Sequence, residues 1–394
     1  LACGVVLAGL AAAPRAHGGV TLRQGKELKL DLGALLHTFV VASGANAPLA
    51  GTSPGELQPV LRRARLRVEA TLWERFVILL QTDRGTGESG SGVTFNLIDA
   101  YARLQVAELL QVTAGLHLPP GPRITNESSS NLLTIDRPSQ AFKSLSWGLR
   151  TLVQFDRLTL ESSDPGLRTG APVRDLGVTV HGHGSLTPRL HAKYAVGVYE
   201  GIPRPFSTAP HITARVQMNV GEPEPGLIVR GNYGGTKRVA ALGAFFAAQP
   251  DIAETTTGGR ASYRHGGVDV FFEQPVGPVA VTLEVAAQYL ELGGGAVAVA
   301  GRPLPVDLRR TEGFGAYGQV GVLLGPWQPW FGAETFRATA PGGSFSALRV
   351  GANYYFVPER VSLRGGYELF GAPASDVAGE RSVHSASLGV YLAF

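Results

Sequence analysis

From Ser385 to Phe394 the chain alternates strictly, and few folds tolerate such an ending. Ala386, Leu388, Val390, Leu392 and Phe394 share one face of a strand, while Ser385, Ser387, Gly389, Tyr391 and Ala393 share the other. Successive side chains of a strand point to opposite faces, so a period of two marks a surface dividing two environments. The ends of soluble domains are usually loose and polar. A closing strand with one apolar face suits a β-barrel in a bilayer, where the last strand pairs with the first and shows lipid its apolar side. The expected fold class is all-β: a membrane-spanning antiparallel β-barrel.

Composition agrees. Apolar residues make up 44% of the chain and charged residues only 17%, against about 25% charged in soluble domains. Beyond the N-terminus, no apolar run approaches the ~20 residues that a membrane-crossing helix needs. The longest internal run, Val239 to Ala248, is about half that. High apolar content that is never contiguous is what lipid-facing alternation produces. Net charge is +4, and no Lys/Arg block or folded nucleic-acid motif accompanies it, so nucleic acid is excluded as an expected partner.

Residues 1–18 are expected to be a signal peptide whose basic start is missing, and residues 19–394 the barrel domain. Leu1 to Ala13 is small and apolar, and Ala16-His17-Gly18 offers a small-x-small cleavage site before Gly19. The single Cys3 lies in that segment, so a mature chain would carry no cysteine and need no disulfide.

Sixteen alternating segments follow. Six run from Leu28–Val41 to Arg174–Ser185, six from Leu190–Glu200 to Glu312–Leu324, and four from Gln328–Arg337 to Ser382–Phe394. Barrels of this kind have an even strand number, short turns at the periplasmic end and longer outer loops. The links at Val357-Pro358-Glu359, Gly325-Pro326-Trp327 and Gln274-Pro275-Val276-Gly277 fall at the short-turn end. Gly226–Tyr233 resists the count, since including it alone makes the total odd. The expectation is an extended periplasmic connection over Gly221–Thr236. Eighteen strands would result if this stretch and part of Ser146–Glu161 were both recruited. The 55-residue link from Pro119 to Val173 is long enough to be functional and is expected to fold inward as the third outer loop.

Charge fixes the faces. An Arg on lipid costs ~2–4 kcal/mol at the midplane, so Arg63, Arg65, Arg67 and Glu69 must point inward opposite Leu66, Val68, Ala70 and Leu72. The same test sends Arg103, Lys193, Arg215, Arg349 and Arg364 inward, with Asp269, Glu273, Glu284, Glu334 and Glu368 as acidic counterparts. The inward loop adds Arg123, Arg137 and Lys143. These eleven basic residues form a candidate anion-binding pore lining, with the Arg63–Arg65–Arg67 ladder at its centre. The alternative reading is that lumen charges of both signs simply pair across strands.

A family resemblance adds to this. Arg62-Arg63-Ala64-Arg65-Leu66-Arg67-Val68-Glu69, Asp99-Ala100-Tyr101 and Gly115-Leu116-His117-Leu118-Pro119-Pro120-Gly121 resemble segments of the phosphate-selective porin O/P family. So do Arg174-Asp175-Leu176-Gly177-Val178, Tyr194-Ala195-Val196-Gly197-Val198-Tyr199-Glu200-Gly201, Gly267-Val268-Asp269-Val270 and Gly351-Ala352-Asn353-Tyr354-Tyr355. The C-terminus likewise resembles the end of bacterial outer-membrane proteins. The resemblance implies residence in the bacterial outer membrane among lipid and lipopolysaccharide. It implies passive diffusion of small hydrophilic solutes, with small anions such as phosphate preferred, and a homotrimer. The lysine-rich lining of phosphate-selective members is absent here, where basic candidates are mostly arginine. Two other functions stay open: a structural or adhesive barrel with an occluded lumen, and an outer-membrane hydrolase.

Other motifs carry no chemistry. Gly85-Thr86-Gly87-Glu88-Ser89-Gly90 matches a dinucleotide pattern in letters but leads into a strand, not a helix. His181 and His183 share a face without a nearby third ligand. No Gly-x-Ser-x-Gly elbow is present. The expectation is therefore no enzyme activity, no metal and no cofactor.

Overall fold

The computed structural model describes residues 19–25, 27–45, 57–84, 95–137, 174–201, 207, 209–255, 257–292, 296–299, 302–303, 312–339, 344–372 and 381–394. The strands in chain order are β1 (Val20–Gln24), β2 (Leu28–Ala45), β3 (Leu57–Leu72), β4 (Phe76–Arg84), β5 (Phe95–Ala107), β6 (Leu110–His117) and β7 (Asp175–Thr187). They continue as β8 (Leu190–Tyr199), β9 (His211–Gly221), β10 (Val239–Thr255), β11 (Arg260–Val276), β12 (Val279–Glu291), β13 (Ala296–Val299) and β14 (Arg302–Pro303). The last five are β15 (Gly313–Leu324), β16 (Trp327–Ala338), β17 (Phe345–Val357), β18 (Val361–Ala372) and β19 (Arg381–Ala393).

Sixteen of these close a single antiparallel barrel: β2 to β12 and β15 to β19, each hydrogen-bonded to the next. The terminal strand does what its alternation demands. β19 pairs with β2 from Val383↔Ala45 to Ala393↔Leu35, and Phe394 exchanges both backbone hydrogen bonds with Ala34. No edge is left there, which is the condition for crossing hydrocarbon with strands. The remaining three strands are accessories. β1 extends the ladder on β2, and the short β13–β14 hairpin sits on the end of β10.

The outside of the barrel is apolar. Leu66, Val268 and Leu388 are 55%, 50% and 53% exposed, and Val68, Val270 and Val390 are exposed beside them. Their chain neighbours point inward: Arg65, Arg67, Glu69 and Ser387 are half-buried, and Asp269, Phe271 and Tyr391 are buried. Sixteen strands is the even count that parity required.

Turns at the end carrying the chain termini are tight. Gly277 and Gly325 sit at φ 59°, where a glycine costs nothing. The first hairpin achieves the same turn with Trp73 and Glu74 at φ 50° and 61°, the doubly positive geometry of a type I′ turn. The link around Gln274–Gly277 is shorter than the sequence suggested, because β11 runs on through Pro275 to Val276.

The inward loop is present, and it does not act alone. Residues 118–137 leave β6, make one helical turn at Arg123–Asn126 and pack inside the barrel. From the opposite end, residues 222–238 also fold inward, correcting the expectation of an extended periplasmic connection. The two segments meet at a parallel bridge between Glu127 and Val229, with Ser128 and Val229 donating backbone hydrogen bonds to Val229 and Asn126. Ile124, Leu132, Leu133, Val229 and Tyr233 are buried against the wall. The part of the link at 138–173, with Ser146–Glu161, lies outside the described residues, as does the expected signal peptide.

Candidate functional site: the charged lumen

The lumen is built by large charged side chains lying on a wall that has room for them. Arg215 rests over Gly243 and Arg349 over Gly332, where an added Cβ would stand 2.3 Å and 3.3 Å from the guanidinium. Glycine in a barrel strand thus makes space for a neighbour on the same face, at some cost in strand stability.

The arginine ladder of β3 is inside, as its pattern required, but it is not free charge. A β-bulge between His37 and Thr38 opposes an extra residue of β3. Such a bulge re-aims side chains, and both Arg62 and Arg63 reach Asp136 of the inward loop, at 2.8 Å each. Arg63 also lies 3.1 Å from His37 Nδ1. Arg65 meets Asp83 of β4 at 2.7 Å and donates to Ser129 Oγ. Arg67 is ion-paired with Glu69, two residues on along the same face. Exposure of these side chains rises from 1% at Arg63 to 14% at Arg65 and 31% at Arg67, so the lumen opens toward the short-turn end of β3.

A second group clasps the inward segments. Arg123 is fully buried and bidentate to Glu224, at 3.0 and 2.8 Å. It also donates to the Arg230 carbonyl, and its guanidinium carbon stacks 3.7 Å over the Phe271 ring. Glu224 further accepts from Tyr233 Oη and from Gln217 Nε2. Arg215 is bidentate to Asp269 at 2.6 and 2.7 Å and reaches the Gly121 carbonyl. The clasp therefore ties both inward segments to β9 and β11.

A third group satisfies backbone carbonyls. Arg137 donates to the carbonyls of Ile124 and Glu127. Arg364 donates to those of Leu132 and Thr134 and stacks 4.1 Å over Tyr391. Arg349 makes long contacts to the Asp136 and Arg137 carbonyls, leaving its Nε and Nη2 unpartnered. Lys193 Nζ donates to the Gly226 carbonyl at 3.0 Å. Arg103 has no hydrogen-bond or ion-pair partner among the described residues. Lys143 lies outside the described residues.

Burial acts on the charges of the inward segments. It opposes charge on Arg123, but Glu224 and Glu127 outweigh it and raise that pKa well above the ordinary value. Glu224 is pushed the other way, its burial overcome by Arg123 and Lys193, and titrates well below the carboxylate range. Burial, with Arg63 close by, lowers Arg137 to about 9. Glu127 is raised well above the carboxylate range by burial and by the facing Glu284, despite Arg123 at 3.6 Å. Among the described residues its oxygens receive no hydrogen bond from an N–H or hydroxyl donor and face the Glu284 carboxyl group.

The ladder's neutralisation was invisible locally because a shared partner comes from elsewhere: Asp136 follows Arg62 and Arg63 by 74 and 73 residues. Arg62, Arg174, Glu224 and Asp136 were missed. Arg174 pairs with Asp99 at 3.1 Å. The wall acids Asp269, Glu273, Glu284 and Glu334 are buried inside as expected. Among the described residues, no cluster of three or more metal-ligating side chains forms.

No protein-family model matches this chain, and no curated protein does. Its similarity to solved structures is one of shape. The outer-membrane channel DcaP of Acinetobacter baumannii superposes with a TM-score of 0.56 at 11% identity, covering 95% of this chain and all of DcaP. An anion-selective porin from Comamonas acidovorans gives 0.55 at 13% identity, over 93% and 100% of the two chains. Salmonella typhi OmpF in complex with daunomycin gives 0.52 at 14%, over 95% and 100%. The chain has the sixteen-stranded fold of outer-membrane porins.

Proposed function

We propose that this chain is a bacterial outer-membrane channel for passive diffusion of small hydrophilic solutes, with a preference for anions. The observation that carries the reading is the contrast across one wall, apolar side chains outside and charged, hydrogen-bonded ones within. A lipid-embedded barrel with a charged interior is built to hold water, and fixed charge in a narrow aqueous hole with low-dielectric walls selects ions by sign. The resemblance to the phosphate-selective porin O/P family makes phosphate the first solute to test. Lipid and lipopolysaccharide around the barrel, a homotrimer, and export through a signal peptide at residues 1–18 belong to the same reading.

The test is conductance of the purified protein in a planar bilayer, with swelling of sugar-loaded liposomes alongside. Stepwise current and size-dependent swelling are expected. One observation favours a second reading, an occluded structural barrel: Arg123, Glu224, Asp269 and Glu284 are each 4% exposed or less, so the inward segments fill much of the lumen. Intact protein that inserts but passes neither ions nor sugars would establish that second reading and overturn the first.

A further inference from the structure

Counting which wall cations of the lumen have a carboxylate partner among the described residues leaves Arg103, Lys193, Arg349 and Arg364, and the accessible ones of these are gathered on one side. Arg62 and Arg63 share Asp136, Arg65 has Asp83, Arg67 has Glu69, Arg174 has Asp99, Arg123 has Glu224, and Arg215 has Asp269. Among the described residues, Arg103 on β5 has no such partner, and Lys193 on β8 has only the Gly226 carbonyl. Between them on β7 lie His181 and His183, with His183 directly opposite Lys193 in the ladder. Arg103, His183 and Lys193 all place their fields on His181. The strands are neighbours: Arg103 pairs with Thr113 of β6, Thr113 with Thr179 of β7, and Thr113 Oγ1 also lies 3.1 Å from His181 Nε2.

The acids whose fields reach this wall are already engaged. Asp99 and Glu69 act near Arg103 but hold Arg174 and Arg67. Glu224 and Asp269 act on Lys193 but hold Arg123 and Arg215. Accessibility separates the wall cations that lack a carboxylate. Arg103 and Lys193, with His183, keep intermediate exposure, whereas Arg349 and Arg364 are buried. Among the described residues, the inward segments pack over β9 to β19 and over the β3 arginines, and reach the β5–β8 side through the Lys193–Gly226 bond.

Resting on the channel reading above, we infer that small anions dwell on the β5–β8 wall, held by Arg103 and Lys193 with His183 between them, and not on the β3 arginines. An arginine fork, an ammonium and an imidazole offer several donors to one anion. With no carboxylate left to compete, the uncompensated charge acts on the solute itself. On β3, Arg65 and Arg67 each face one carboxylate while Arg62 and Arg63 share Asp136, so the one charge left over there belongs to a buried pair.

Chloride is the probe, and the chloride-to-potassium permeability ratio from reversal potentials is the readout. Arg103→Gln/Lys193→Gln should lower the ratio at least about threefold, because two unit charges several ångströms from the ion path act oppositely on anion and cation. Arg103→Lys/Lys193→Arg should keep it near wild type. The single Gln variants, each giving part of the fall, serve if the double does not fold. A wild-type pore that prefers chloride, with an unchanged ratio in the Gln double variant, would overturn the inference and leave the channel reading standing. A wild-type pore with no preference, or a cation preference, would overturn the anion reading and this site with it.

Discussion

Removing Arg123 should release the inward segments from the wall. Its guanidinium is fully buried, bidentate to Glu224, bonded to the Arg230 carbonyl and stacked on Phe271. In Arg123→Met the Glu224 carboxylate stays buried with only Tyr233 and Gln217 as donors. Breaking a buried pair on one side costs about 3–5 kcal/mol, and the two surviving donors favour the lower end. At about 1.4 kcal/mol per tenfold, local opening should become roughly 100-fold more frequent. Hydrogen–deuterium exchange of peptides within 121–136 and 222–236 reads that equilibrium directly. Arg123→Met should exchange there ~100-fold faster, with the barrel strands unchanged. The double variant Arg123→Met/Glu224→Gln removes both charges and should come back to within a few-fold of wild type, since replacing both partners is close to neutral. A double variant that exchanges as fast as the single would refute the reasoning, as would a single indistinguishable from wild type.

Other perturbations give separate checks. Burial and the facing Glu284 raise the Glu127 pKa well above the carboxylate range. A raised acid contributes stability that is complete below its unfolded pKa and fades as pH rises through the folded one. Exchange of 121–136, corrected for its intrinsic pH dependence, should therefore accelerate as pH rises through that raised pKa in wild type and much less in Glu127→Gln. Arg65→Gln leaves Asp83 uncompensated and should lower the chloride-to-potassium ratio; Arg65→Gln/Asp83→Asn removes a neutral pair and should restore it, as reversal potentials will report. Val270→Arg places a charge on the exposed outer face and should cost ~2–4 kcal/mol if that site lies at midplane, measured by denaturant unfolding from lipid; an unchanged midpoint would mean that lipid does not cover this face.

Much of the barrel was legible because lipid makes alternation compulsory. Leu66 and Val68 cannot both face lipid unless Arg65 and Arg67 face inward, and one misplaced arginine is expensive enough to fix a strand's direction. The accessory strands were not legible: five residues of β1 and the brief β13–β14 hairpin carry too little alternation. Arg62 escaped because the bulge near His37 breaks the period on which every face assignment rests. Gly221–Thr236 read as a connection because counting Gly226–Tyr233 as a strand makes the total odd. Glu224 in the same stretch is instead held by Arg123 of the other inward segment, and Asn232 and Tyr233 by Gln328 and Glu273 on distant strands. The ladder misled for a related reason. Its count of positive charge was right, but the neutralising Asp136 arrives from a loop whose path strand periodicity does not encode.

The central claim is a conducting pore that favours anions, and the reversal potential of the wild-type protein across a potassium chloride gradient tests it most directly. Fixed positive charge left over on the β5–β8 wall should shift the zero-current potential toward that of chloride, and the shift should shrink at high salt, where the Debye length falls to ~3 Å at 1 M. A reversal potential on the potassium side, or a barrel that inserts and never conducts, would contradict the account.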